Sequence, residues 1–117
     1  MVDHDGPVAR LRVENSSDQL LELVVEPEGN DHWLLPGETF VVTTVGSRDA
    51  DPWAGNTIDH EPFEVQYYSR SVTVHADGRW GYVSDVAGNE IECGHRRPSA
   101  WRRLSLQTRD TIKQRRP

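Results

Sequence analysis

The chain has 117 residues, 19 acidic against 13 basic side chains, a formal net charge of −6 and 35% hydrophobic residues. That length suits one domain with a modest core, and the single cysteine, Cys93, excludes an intrachain disulfide. No apolar run approaches the ~20 residues that cross a bilayer, and Met1–Gly6 lacks the basic start and apolar run of a signal peptide, so the expectation is a soluble cytoplasmic chain with no membrane contact.

Two-residue alternation, the mark of half-buried strands, dominates from the start. In Val8–Glu14, Ala9, Leu11 and Val13 share one face, and Arg10, Arg12 and Glu14 the other. Asn15-Ser16-Ser17-Asp18 is a turn cluster. Gln19–Glu26 follows as a strand with Leu21, Leu23 and Val25 on one face, and Leu20 and Val24 on the other. Pro27–Asp31 reads as a turn, His32–Leu35 as a short apolar piece, and Pro36-Gly37 as a strong turn signal before a strand over Glu38–Val45.

Gly46–Glu61 has no period and is long for a loop in a compact domain, which is often a functional sign. Alternation resumes with Phe63, Val65 and Tyr67, then switches parity to Val72 and Val74, so a bend or turn is expected between Tyr68 and Ser71. Asp77-Gly78 reads as a tight hairpin turn before Arg79–Val83. Gly88-Asn89 is another turn, and Glu90–Cys93 a last short strand. The expected fold is all-β: a small antiparallel β-sandwich of about seven or eight strands.

The pattern then changes. Residues 1–94 carry 18 acidic and 5 basic side chains, whereas residues 95–117 carry 8 basic and 1 acidic. Trp101, Leu104, Thr108 and Ile112 recur at helical spacing, which predicts a helix over about Ser99–Gln114. The chain therefore divides into a sandwich domain, residues 1–97, and a basic C-terminal helix or arm, residues 98–117. Twelve of the thirteen basic residues are Arg, a bias that resembles proteins of high-GC bacteria or their phages.

The stretch VENSSDQLLELVVEPEGNDHWLLPGETFVV resembles small uncharacterised bacterial β-sandwich domains. These run strand, Asn- or Ser-rich turn, strand ending in Glu-Pro, then Pro-Gly-Glu and another strand. The matching residues are Glu26-Pro27 and Pro36-Gly37-Glu38, and the later GNEIECGHRRP is similar to the end of such domains. The likeness covers about residues 10–98 and implies an all-β fold of cupredoxin-like or immunoglobulin-like outline, with no catalytic residue. Many of those domains have Trp after Glu-Pro, where this chain has Glu28.

Several chemistries can be weighed by their residues. Cys93 and His95 lie two apart, so on a strand they would share a face and could begin a metal or electron-transfer site. No Met follows Cys93 to complete a blue-copper set. The plainer reading places Cys93 in the core beside Ile91, as a small hydrophobe. An EF-hand template laid from Asp49 fails, with Ala54 and His60 where Gly and Glu are required. There is no G-x-S-x-G, no H-E-x-x-H and no phosphate loop. These absences set the expectation of a protein that is not an enzyme and carries no cofactor.

What remains is contact. Trp53, flanked by Pro52 and Ala54 in the long loop, is either an exposed anchor or a cover for the open end of the sandwich. Arg96, Arg97, Trp101, Arg102 and Arg103 combine guanidinium forks with an apolar anchor, suited to a protein partner, to self-association or to the chain's own acidic body. Nucleic acid is the weaker candidate, because the acidic body repels it at close range. The expected function is a non-enzymatic protein-interaction or structural module of a bacterial or phage protein. The alternatives are a cupredoxin-like metal domain and an anion-binding basic arm.

Overall fold

The computed structural model describes residues 6–49, 51–54 and 58–99. Seven strands follow in order: β1 (Val8–Glu14), β2 (Leu21–Glu26), β3 (Asn30–Leu34), β4 (Thr39–Val45), β5 (Phe63–Tyr67), β6 (Ser71–Ala76) and β7 (Trp80–Asp85). They form a three-stranded sheet, β1-β4-β7, and a four-stranded sheet, β3-β2-β6-β5. Phe40, Val42 and Val83 from the first sheet meet Leu23, Leu34, Val72 and Val74 from the second in one buried cluster. Each fully buried side chain of this kind contributes roughly 1.5–3 kcal/mol of apolar transfer. The structure is thus the all-β sandwich that the alternation predicts, and β1 shows the cleanest case, with every second residue half-buried and the rest exposed.

Local chemistry sets the corners. Glu38 N–H donates to the Leu35 carbonyl at 3.0 Å across Pro36-Gly37. Gly37 sits at φ +82°, which a type II turn demands and only glycine adopts freely. The Asn15 side chain is buried and donates from Nδ2 to the carbonyls of Gln19 (2.7 Å) and Leu34 (3.0 Å). Its Oδ1 accepts from Ser17 N–H at 3.1 Å and from Ser17 Oγ at 2.7 Å. One amide therefore ties the β1–β2 corner to the end of β3, with its polar atoms satisfied as burial requires.

The structure departs from expectation in three places. β2 pairs with β6 in parallel, while the other strand pairs are antiparallel. Asp77-Gly78 is not a hairpin turn: β6 and β7 lie in different sheets, and the pair is the crossover between them. Its amides serve one sheet each instead: Asp77 N–H extends the β5–β6 pairing to the Pro62 carbonyl at 3.0 Å, and Gly78 N–H crosses to Thr44 Oγ1 on β4 at 3.0 Å. Glu90–Cys93 forms no strand; only Ser84 and Glu90 make an isolated bridge. The turn expected before Ser71 is present, closed by Tyr68 N–H to the Ser71 carbonyl at 2.8 Å. The predicted C-terminal helix lies outside the described residues, apart from Ser99.

Candidate functional site

Two sheets stacked face to face leave two long sides, and the chain treats them differently. On the β7–β3 side, the segment after β7 runs across the gap as a strap. The Asp85 carboxylate first accepts N–H bonds from Ala87 and Asn89, each 2.9 Å, and the Asn89 amide at 3.0 Å. These bonds, the Asn89 side chain's foremost, hold the Asp85 carboxyl below its ordinary value. Ile91 N–H then donates to the Val83 carbonyl at 2.7 Å, and the Ile91 side chain packs on the core. Further on, Gly94 N–H reaches the Asp31 carbonyl at 2.7 Å, and Trp33 N–H reaches the His95 carbonyl at 3.0 Å. The strap is hydrogen-bonded to both sheets.

Two Arg–carboxylate forks fasten its end. Arg97 donates from Nε to Asp31 Oδ2 at 2.8 Å and from Nη2 to Asp31 Oδ1 at 2.5 Å. Asp31 is 5% exposed and also accepts the Trp33 indole N–H at 2.9 Å. The paired carboxylate pushes the Arg97 guanidinium further toward its charged form. Arg96 forks onto Glu38, with Nη2 to Oε2 at 3.1 Å and Nη1 to Oε1 closer still, and donates to the Trp33 carbonyl at 3.2 Å. Burial draws the Glu38 carboxyl upward, but the bonds from Arg96 and the Leu35 N–H outweigh it, so the net shift is downward. Arg96 has φ +62°, a left-handed conformation that costs a non-glycine residue roughly 1–2 kcal/mol. The bidentate pair offsets that strain.

His32 on β3 is buried, and its Nδ1–H donates to the Glu92 carbonyl at 3.1 Å. Desolvation is the main influence and lowers its pKa below 6.5, so the neutral ring is favoured.

These placements decide several sequence expectations. Arg96 and Arg97 face this chain's own carboxylates. Cys93 is exposed and is not a core residue. The Glu92–His95 turn, with Gly94 at φ +85°, breaks the alternation that would have carried Cys93 onto the face of Ile91. Its thiol lies 3.5 Å from Asp31 Oδ1 and 3.9 Å from Arg97 Nη2, whereas the His95 ring meets Phe40, centroids 5.9 Å apart. Among the described residues, no group of three or more His, Cys, Asp or Glu is placed to hold a metal. Trp53 is half-buried and lies against Gly46, where even a Cβ would come within 2.8 Å of its ring. Trp101, Arg102 and Arg103 lie outside the described residues.

Among the described residues, the β1–β5 side is open. Tyr67 pairs across from Val72 and Val65 from Val74, so both point inward with the core valines. Yet Tyr67 is 81% exposed, Tyr68 43% and Val65 38%. Opposite them, Leu11 and Val13 of β1 are only partly buried. Between the two edges is a cavity of about 410 Å³, floored by Leu11, Val13 and Leu21 and walled by Val65, Tyr67 and Tyr68. Its rim carries Arg12 and Arg70 together with Glu14 and Asp18. β1 and β5 are both edge strands. The Tyr67-Tyr68 doublet closing an alternating strand is the only trace of this cleft in the sequence, and neither composition nor period marks it as a site.

Compared with protein-family models, curated proteins and solved structures, the chain matches none of them. Among the described residues, no helix is long and apolar enough to cross a membrane.

Proposed function

We propose that this protein is a non-enzymatic interaction module whose contact surface is the open β1–β5 side. The observation that carries this reading is the cleft of about 410 Å³ lined by inward-facing but exposed Val65 and Tyr67. Inward-facing side chains of a sandwich are normally covered by the opposite sheet. Left uncovered among the described residues beside the edge strands β1 and β5, they suit an extended polypeptide, which would add main-chain hydrogen bonds at an edge and seat alternate side chains in the cleft. The tyrosines supply rigid contact area with a polar end, as binding surfaces do. The rim offers both signs of charge, which sets the register of a peptide rather than drawing a polyanion. An exposed free thiol at Cys93 suits the reducing cytoplasm, where we place the protein.

Panning the full chain against displayed peptides of ~8 residues, the length of an ordinary strand, tests the reading. Selected peptides should alternate aromatic or aliphatic with polar residues. Val65→Asp should weaken them at least ~10-fold, about 1.4 kcal/mol. Val86→Asp, in the exposed turn after β7, should leave binding unchanged. Peptides that bind the Val65→Asp protein as tightly as the parent would overturn the assignment.

A further inference from the structure

A sheet edge is a row of unpaired main-chain groups, which a fold either protects or uses. The edge strands here are β1, β7, β3 and β5. The strap bonds to β3 through the Trp33 N–H and the His95 carbonyl, and to β7 through the Ile91 N–H and the Val83 carbonyl. β1 carries Arg10 and Arg12 on its exposed face. Paired antiparallel with its own copy about Leu11, it would set Arg10 against Arg12, and like charges directly opposite are destabilising. Among the described residues, β5 (Phe63–Tyr67) has neither protection.

Register decides which groups of β5 face outward from the sheet. Asp77 N–H bonds to the Pro62 carbonyl and Tyr68 N–H to the Ser71 carbonyl, one pair beyond each end of the β5–β6 ladder. Bonded and non-bonded pairs alternate along an antiparallel ladder. Glu64 and Gln66 therefore spend their main-chain groups on β6, while the N–H and C=O of Phe63, Val65 and Tyr67 point to the edge. Val65 and Tyr67 are also the exposed side chains of the cleft wall.

This strand complements itself. Laid antiparallel to a second copy about an axis at Val65, Val65 meets Val65, Phe63 meets Tyr67, and Glu64 meets Gln66. The Val65 pair and the two Phe63–Tyr67 pairs each exchange both N–H···O bonds, and they set aromatic against aromatic on the inward face. On the other face, Gln66 Oε1 is 3.0 Å from His75 Nε2. The Gln66 amide N–H groups are then left to donate to the copy's Glu64, and no like charges meet. Resting on the reading of the open side as a polypeptide-binding surface, we propose that its partner is β5 of a second copy of this chain. The two four-stranded sheets join into one, and the two-fold contact closes on itself, so the product is a dimer rather than a filament.

The test follows amide exchange and sedimentation equilibrium of the full chain up to ~1 mM, since so small a contact belongs to the weak, transient class. Raising the concentration should produce a dimer and slow exchange at Phe63, Val65 and Tyr67, with Glu64 and Gln66 slow throughout. Gln66→Glu sets carboxylates opposite each other on the face away from the cleft and should weaken the dimer about 5-fold, whereas Gln66→Lys should tighten it by about as much. Val65→Pro removes an N–H that β6 does not use, so the protein should fold and stay monomeric. If that variant unfolds, the opposite signs of the two Gln66 variants decide. A parent that is monomeric at ~1 mM would overturn the inference. So would concentration-dependent protection confined to β1, or a dimer that responds to none of these substitutions. In each of those cases, selected peptides that still lose affinity with Val65→Asp would keep the open side as a binding surface, and peptides insensitive to it would remove both readings.

Discussion

Along β3 and β7 the gap between the sheets is closed by the chain itself, while along β1 and β5 the described chain leaves it as a cleft. The closed side spends its polar groups on internal partners: Asp31, Glu38, Arg96 and Arg97 face one another in two forks. The open side keeps apolar and aromatic side chains on the core face without cover. The difference teaches that inward orientation and burial are separate properties. Register sets the first, and the presence of an opposing layer sets the second.

Substitutions of similar size should therefore have opposite signatures on the two sides. The largest loss of stability is expected from Asp31→Ala, which strands the Trp33 indole N–H and removes the Arg97 fork. About 3 kcal/mol should be lost in urea unfolding, since one buried orphaned donor costs about 1–3 kcal/mol and the fork is partly solvated. An unchanged midpoint would mean that the strap is not fastened there. Next, Ile91→Ala should cost about 1.5 kcal/mol, at the low end for a large-to-small change because the side chain is only half-buried.

Acid should loosen the closed side. His32, Glu38 and Asp85 all have folded pKa values below their ordinary ones of 6.5, 4.5 and 3.8. The unfolded chain then takes up the proton first, so the stability these groups contribute is complete above those values and is lost as pH falls through the folded ones. The urea midpoint should fall below pH 6.5 and fall further below pH 4.5, and His32→Gln should remove the upper part of that decline. A midpoint that rises on acidification would contradict the buried neutral His32. Glu38→Gln should cost at most about 1 kcal/mol, because that fork is partly exposed.

The smallest effect on folding belongs to the open side. Tyr67→Ser should shift stability by no more than about 0.5 kcal/mol, as exposed positions do, yet weaken the selected peptides. A large loss of stability would place Tyr67 in the packed core and close the cleft.

Much of the architecture was legible in residues 8–83. Alternation in Val8–Glu14 and Phe63–Tyr67 identified strands and the residues that share a face, because one buried face imposes a period of two, while Glu38–Val45 was legible from its β-branched and aromatic residues. Pro36-Gly37 and Asn15-Ser16-Ser17-Asp18 marked their turns because those side chains satisfy or permit a local backbone geometry. Asp77-Gly78 misled because the same dipeptide can close a hairpin or cross between sheets, and the choice depends on distant acceptors at Pro62 and Thr44. Cys93 misled because the turn around Gly94, closed by His95 N–H to the Glu92 carbonyl, ended the alternation.

By itself, then, the sequence determined the fold class, most strand faces and the separation of an acidic body from a basic end, all of which follow from local period and composition. Only the tertiary structure decided that Arg96 and Arg97 meet Glu38 and Asp31, some sixty residues earlier in the chain. It also decided that β2 lies beside β6 in parallel, and that β5 overhangs its partner sheet to leave Val65 and Tyr67 uncovered. These outcomes depend on which strands become neighbours and where a sheet runs out of cover, and no local pattern encodes a contact between segments that far apart.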